Sequence, residues 1–513
     1  MTAKRVENIK RNLVFEIGAK TGSFLLAFLS RAIFIRYLGE DYLGVNGYYS
    51  NILQILNLSE LGLANAAMFH LYKPLAENDT EHLKSLEAYY RKLYRAIALF
   101  ILVVGLLLTP WIEQLVRVQK EIPNLKLYYV LALLNIVASY LFIYKNTLLN
   151  ASQNQYIYNT SSVVFSFLMQ IVQIGVLTIR RDYALYLIVQ AATTAANMVY
   201  ISCKADKLFP FLKDKKVKEL DREEKKSISR DVRAMCPYKI GEGILNYSDN
   251  IFINSLINTT TIAFYTNYVS LTNVLTLMGS VVYNAIFATI GDFNVSSDEK
   301  QKKQLFNMII FGYSWIAMFF ACGFICMASD IVKIWLGERF MLPSDVVLAM
   351  SLNVYLVLIM CPVNVYRITT GMFRKTKGIL LYAAAANIFF SYFLGSRFGL
   401  IGIVLATSLA RLITQFWFEP VVLYREVFSH SHVNEYFRRV TMGIIIALLS
   451  SIIVDRLAGI LPFQGILYVV IKFLVCCLIP NLLYYLIYRN DPSMKITKDL
   501  ISRKFARFSR KRK

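Results

Sequence analysis

Acidic residues and histidine are scarce in this chain. Its 513 residues hold 33 Asp and Glu against 56 Lys and Arg, and only 4 His. Charged residues of both signs make up 17%, against roughly 25% in a soluble domain, so a surface wetted all round is not expected. Long polar segments are missing too. No stretch between the apolar blocks reaches domain size, and an enzyme working at a membrane face would need more than the loop around 111–124. Alternating ten-residue segments, the mark of a porin-type barrel, are absent. A complete phosphate loop is absent as well. Gly18-Ala19-Lys20-Thr21 has no second glycine before its lysine and no strand ahead of it, so no ATP site is read. His70, His82, His430 and His432 have neither triad nor metal spacing. The seven cysteines fall mostly inside apolar blocks, which argues against a disulfide framework. Cys322 and Cys326 share a helix face, but no His or further Cys accompanies them in the sequence. No catalytic residue, metal or other cofactor is therefore expected.

What the chain does have is apolar length. Hydrophobic residues make up 56%, with 34 Phe and 33 Tyr, and they fall in repeated blocks of about 20 or more, each able to cross a bilayer as a helix. The reading is an all-α polytopic membrane protein of about fourteen transmembrane helices. The expected spans are 11–38, 42–72, 83–110, 125–149, 155–180, 183–206, 229–258, 261–291, 303–332, 345–372, 376–396, 399–425, 437–458 and 464–489. The first is too long for a cleavable signal peptide and lacks a small-residue cleavage pattern, so it is expected to be retained.

The net charge of +23 would suggest nucleic acid in a soluble protein. Here the positive residues gather in alternate loops. Lys207 to Lys226, the lysines 300, 302 and 303, and Arg374 with Lys375 and Lys377 all follow even-numbered spans. The tail ends Arg510-Lys511-Arg512-Lys513. Loops after odd-numbered spans, such as Gly39-Glu40-Asp41 and Asn258-Thr259-Thr260, are poor in positive charge. Positive loops stay in the cytoplasm, so both termini are expected there, in a cytoplasmic-membrane protein with no nucleic-acid partner. The basic tail is placed to touch anionic lipid, or serves only as a topology signal.

The chain also echoes itself. Ser30-Arg31-Ala32-Ile33-Phe34-Ile35 in the first span resembles Ser248-Asp249-Asn250-Ile251-Phe252-Ile253 in the seventh. The second copy begins six spans after the first, an even number, so both copies start on the same side of the membrane, as in a parallel repeat. The expected organisation is a lobe over 1–206, a charged cytoplasmic loop over 207–228 and a second lobe over 229–427. Two added spans over 428–490 and a basic cytoplasmic tail over 491–513 complete it.

Charges inside these spans are the functional candidates, because burial in hydrocarbon is costly. Glu16, Lys20 and Arg31 fall on one side of the first helix, and Lys20 is spaced to pair with Glu16. In the seventh, Glu242 and Asp249 share a face and Lys239 lies on the same side. The echo sets Arg31 in one lobe against Asp249 in the other. That arrangement fits either a switchable pair across a cavity or a static salt bridge. Glu60 in the second span is a carboxylate able to take a proton if desolvated. Lys145, Arg367 and Arg411 are further basic candidates, and Pro237 and Pro362 are expected to kink their helices. Lys20, Arg31, Lys145, Lys239, Arg367 and Arg411 form the expected substrate-cavity set. Glu16, Glu60, Glu242 and Asp249 form the expected gating or coupling set. The positive bias suits an anionic substrate, and arginine suits phosphate through its bidentate fork.

The stretches SRAIFIRYLGEDYLGVNGYYSNIL, LSELGLANAAMFHLYKPLAEND, YSDNIFINSLINTTTIAFYTNY and KIWLGERF, over this span count, resemble Wzx-type polysaccharide repeat-unit flippases. These belong to the multidrug/oligosaccharidyl-lipid/polysaccharide (MOP) exporter superfamily, with the MATE antiporters and the lipid II flippases. The resemblance covers nearly the whole chain and is closest to Gram-positive capsule and exopolysaccharide members. Thr289-Ile290-Gly291-Asp292 stands where many relatives have Ser-Ile-Gly-Asn. The resemblance implies an inverted-V bundle of two six-helix lobes. It implies transfer of an undecaprenyl-diphosphate-linked oligosaccharide from the inner to the outer leaflet by alternating access. It matches Arg31, Glu60 and Asp249 to commonly charged positions. The implied partners are the lipid-linked oligosaccharide and membrane lipids, with a polysaccharide polymerase and glycosyltransferases in the same process. Three other readings stay open: a MATE-like exporter of small cations, a membrane polymerase or ligase, and a scaffold recruiting glycosyltransferases through 207–226 and the tail.

Overall fold

The computed structural model describes residues 22–23, 25–57, 63–117, 121–152, 154–214, 217–296, 299–370, 372–376, 378–428, 432–460 and 465–495. Among them the regular elements are all helical. A helix satisfies its own backbone hydrogen bonds, which is what an apolar block needs in lipid. Packing divides the chain into two compact units, Met1–Ala263 and Phe264–Lys513.

The first unit contains α1 (25–38), α2 (Glu40–Asn57), α3 (Leu63–Glu77), α4 (Thr80–Leu108) and the short α5 (Ile112–Leu115). It continues with α6 (Leu125–Ser139), α7 (Ile143–Ala151), α8 (Gln155–Ile179), α9 (Tyr183–Leu208), α10 (Arg222–Tyr247) and α11 (Asp249–Leu256). Residues of the following helix, α12 (Thr259–Ser296), up to Ala263 close this unit. The second unit holds the rest of α12, then α13 (Glu299–Leu336), α14 (Ser344–Thr369), α15 (Phe373–Thr376) and α16 (Ile379–Phe398). After these come α17 (Leu400–Ile413), α18 (Gln415–Val427), α19 (Asn434–Gly459) and α20 (Gly465–Tyr488).

Ten helices among the described residues are long and apolar enough to cross a membrane. They coincide with ten of the fourteen expected spans. The remaining four correspond to α1, α2–α3, α10–α11 and α12. The first two are interrupted by residues outside the described set, and α10 is the most polar of the long helices. Large apolar side chains line the outside of the spanning helices, as at Leu107 on α4 and Leu474 and Leu478 on α20. In lipid that surface needs no cover.

Within the first unit, Tyr49 donates to the Leu125 carbonyl (3.0 Å) and Tyr183 to Asn46 Oδ1 (3.1 Å), tying α2 to the start of α6 and to α9. Gly44 sets how closely α2 approaches α12, since a Cβ there would overlap the Thr259 carbonyl. In the second unit, Phe306 packs against Tyr366, Tyr424, Phe428 and Tyr436. Tyr355 on α14 donates to the Val440 carbonyl on α19 at 2.7 Å. Helix interruptions occur at Thr414, between α17 and α18, and at a bend at Ser248, between α10 and α11.

Candidate functional site

In the first unit, the ends of α5 and α11 meet the starts of α2 and α12 through polar groups. The Arg117 backbone N–H donates to Thr259 Oγ1 (2.8 Å), and the Thr259 N–H returns the bond to the Arg117 carbonyl (2.8 Å). Arg117 Nη1 reaches the Ser255 carbonyl (2.7 Å), and Asn254 Nδ2 reaches that of Leu115 (2.5 Å). Thr260 donates to Asp41 (2.5 Å). All of these loops follow odd-numbered spans, so the alternation read from charge reappears as one shared end of the unit.

Asp249 stands at the same end of α10–α11. The bend at Ser248 starts a new helix, and Asp249 is buried in its first turn, where the helix dipole favours a carboxylate. Its neighbour Asn250, also buried, donates to the Gly47 carbonyl (3.5 Å), and Asn51 on α2 donates to the Tyr247 carbonyl (3.3 Å). The bend is therefore held against α2. Arg31 lies half-buried on α1, within electrostatic range of Tyr186 on α9. One turn along, Phe34 meets Tyr183 and Tyr186 edge-on at 5.7 and 5.1 Å, and Tyr128 joins Tyr183 at 4.8 Å. This aromatic group beside Arg31 has no signal in the sequence, because it draws on three distant helices. Lys239 and Glu242, expected in the cavity and gating sets respectively, pair directly on α10 at 2.7 Å.

The opposite end of the unit is rich in ion pairs. His70 on α3 contacts Asp231 (3.1 Å) and His82 on α4 contacts Glu224 (3.0 Å), both on α10. Lys84 bonds Glu81 (2.7 Å) and Asp214 (2.8 Å). Lys225 holds Glu219 in the 207–228 loop and keeps its carboxyl below the usual carboxylate range. Lys145 on α7 is buried, with Nζ 2.7 Å from Asp206 and 2.8 Å from Ser202 on α9. Its charge is matched inside the protein.

The second unit has its own buried polar group. Arg367, in the last turn of α14, bonds Asn364 Oδ1 through Nε (3.2 Å) and Nη2 (2.6 Å). Glu419 on α18, also buried, lies 3.9 Å from its Nε. Arg411 lies in the last turn of α17, just before the interruption at Thr414. Nearer the other end, Lys472 on α20 contacts Asp330 on α13 (2.9 Å) and Asp455 on α19 (3.3 Å). Glu419 and Lys472 were missed in the sequence, although both sit inside expected spans and satisfy the rule that selected Arg367.

One expectation is corrected. A further cysteine does accompany Cys322 and Cys326: Cys476 on α20 brings its sulfur within 4.8 Å of both, and all three are buried. The contact joins helices far apart in the chain, which spacing cannot reveal. Glu16, Lys20, Glu60 and His430 lie outside the described residues.

No protein-family model and no curated protein matches this chain. Solved structures do. The lipid II flippase MurJ in an inward closed conformation matches with a TM-score of 0.70 at 13% identity, covering 93% of this chain and 99% of that one. A MATE-family multidrug resistance transporter in an inward-facing conformation gives 0.56 at 14% identity, over 78% of this chain and 95% of its own. A MOP-superfamily transporter from Pyrococcus furiosus, described by a reversed polarity of its binding pocket, gives 0.57 at 13% identity, over 80% and 94%. These proteins are flippases and transporters, and at such identities the likeness is one of fold. Among the described residues the chain has the all-helical fold shared by these flippases and transporters.

Proposed function

We propose that this protein is a flippase. It carries an undecaprenyl-diphosphate-linked oligosaccharide repeat unit from the inner to the outer leaflet of the cytoplasmic membrane by alternating access, for capsule or exopolysaccharide synthesis. The observation that carries this reading is the extent of the likeness to the lipid II flippase. That match leaves out 7% of the 513 residues, about 36, whereas α19 and α20 have 26 and 24 residues. It therefore reaches into the last two helices. In this reading Arg31 attracts the diphosphate, Asp249 and the Lys239–Glu242 pair take part in coupling, and both termini are cytoplasmic. A polymerase and glycosyltransferases would act beside it.

One observation favours a small-molecule exporter like the multidrug transporters. Buried basic side chains already face carboxylates at Lys145–Asp206, Arg367–Glu419 and Lys472–Asp330, which reduces the positive bias. Depletion of the protein separates the two. A flippase leaves lipid-diphosphate oligosaccharide accumulating on the inner leaflet. Drug hypersensitivity with no such accumulation would select the exporter.

A further inference from the structure

We infer that Cys322, Cys326 and Cys476 form a binding site for a soft monovalent metal ion, Cu(I), that staples α13 to α20. Cys322, Cys326 and Asp330 follow one another at four-residue steps, so they form one stripe along α13. Lys472 and Cys476 form the matching stripe on α20. The stripes face each other twice, at the Asp330–Lys472 ion pair (2.9 Å) and at the three sulfurs, all within 4.8 Å of one another. A metal with bonds of about 2.3 Å to sulfur holds three coplanar sulfurs about 4 Å apart, so small side-chain rotations close the site.

The donor set selects the ion. Three sulfurs without a nitrogen suit a soft ion, and the thioether of Met327 packs in the same cluster. Structural zinc takes four ligands, and among the described residues no fourth His, Cys or carboxylate joins this group. A zinc site with three protein ligands completes itself with water, but Val454 and the partly buried Val469, Val475 and Ile479 form an apolar collar here. The charged end of the stripes is the one where α13 stops and α20 begins. There Asp330 and the half-exposed Asp455 outnumber Lys472 and attract a cation. This inference is independent of what the protein transports.

The test uses the full-length protein, purified in detergent and reduced under anaerobic conditions. Titration with Cu(I) held by a competing chelator is expected to load one ion per chain and raise the thermal midpoint. Cys322→Ala and Cys476→Ala each weaken binding by at least about tenfold, since losing a ligand costs no less than losing an outer-shell partner. Cys477→Ala leaves binding unchanged. Loading that survives Cys476→Ala, preference for Zn(II) over Cu(I), or a native disulfide among the three would each overturn the assignment. X-ray absorption of the copper-loaded wild-type protein needs no variant to fold. It must report three sulfur neighbours, and nitrogen or oxygen donors in their place refute the site.

Discussion

A buried lysine is tolerated when a carboxylate shares its burial, and Lys145 illustrates how half of such a pair misleads a reader of sequence. The lysine is conspicuous inside its span, while Asp206 sits near the end of another and looks like an ordinary interfacial residue. Their contact at 2.7 Å makes Lys145 first a tie between α7 and α9. Removing one partner of a fully buried pair costs about 3–5 kcal/mol. Asp206 keeps a side-chain exposure of 24%, so the loss here is smaller. Lys145→Met is expected to lower the thermal midpoint, and Lys145→Met/Asp206→Asn to recover part of it, with a coupling energy of about 1–3 kcal/mol in the double-mutant cycle. Additive effects would show that the pair contributes nothing. Glu419 and Lys472 carry a different lesson. Their signal was present, since each is a charge within an apolar block, and only their partners at Arg367 and Asp330 required the fold.

At the scale of elements, helix positions were legible because about 20 apolar residues have few alternatives in lipid. Interruptions were not legible: Pro237 and Pro362, where kinks were expected, both lie inside continuous helices. The bend at Ser248 and the break at Thr414 have no proline. The approach of α2 to α12 is equally silent in sequence. It depends on Gly44, whose missing side chain admits the Thr259 carbonyl. Thr259 also bonds both backbone polar groups of Arg117, so displacing it loosens α5 as well. Gly44→Ala is expected to destabilise the protein by about 1–3 kcal/mol, the usual cost of overpacking. Gly22→Ala is the control, because a Cβ at Gly22 meets nothing within 4 Å. Equal melting of the two variants would mean that the close approach is not needed.

For the whole molecule, composition alone identified a many-spanning helical protein, and the alternation of basic loops assigned every loop to one of two sides. The first unit agrees with that alternation, for 39–41, 115–117 and 254–260 share polar contacts at one end while the histidine–carboxylate contacts occupy the other. The side that faces the cytoplasm follows from the positive-inside rule and is open to direct measurement. In a cysteine-free background, Glu121→Cys should react with a membrane-impermeant maleimide on intact cells, and Glu223→Cys only after the cells are opened. The reverse pattern would invert the orientation. Transport then tests the echo between the first and seventh spans. Arg31 and Asp249 hold matching places in it with opposite charge, one beside the tyrosines of α9 and the other in the first turn of α11. If they act on substrate or coupling, Arg31→Ala and Asp249→Ala each impair export while folded protein stays at the wild-type level. A role confined to packing predicts otherwise, with export falling only as the amount of folded protein falls. Transfer of lipid-linked oligosaccharide in liposomes, normalised to folded protein, distinguishes the two, and undiminished transfer by both variants would remove these residues from the mechanism.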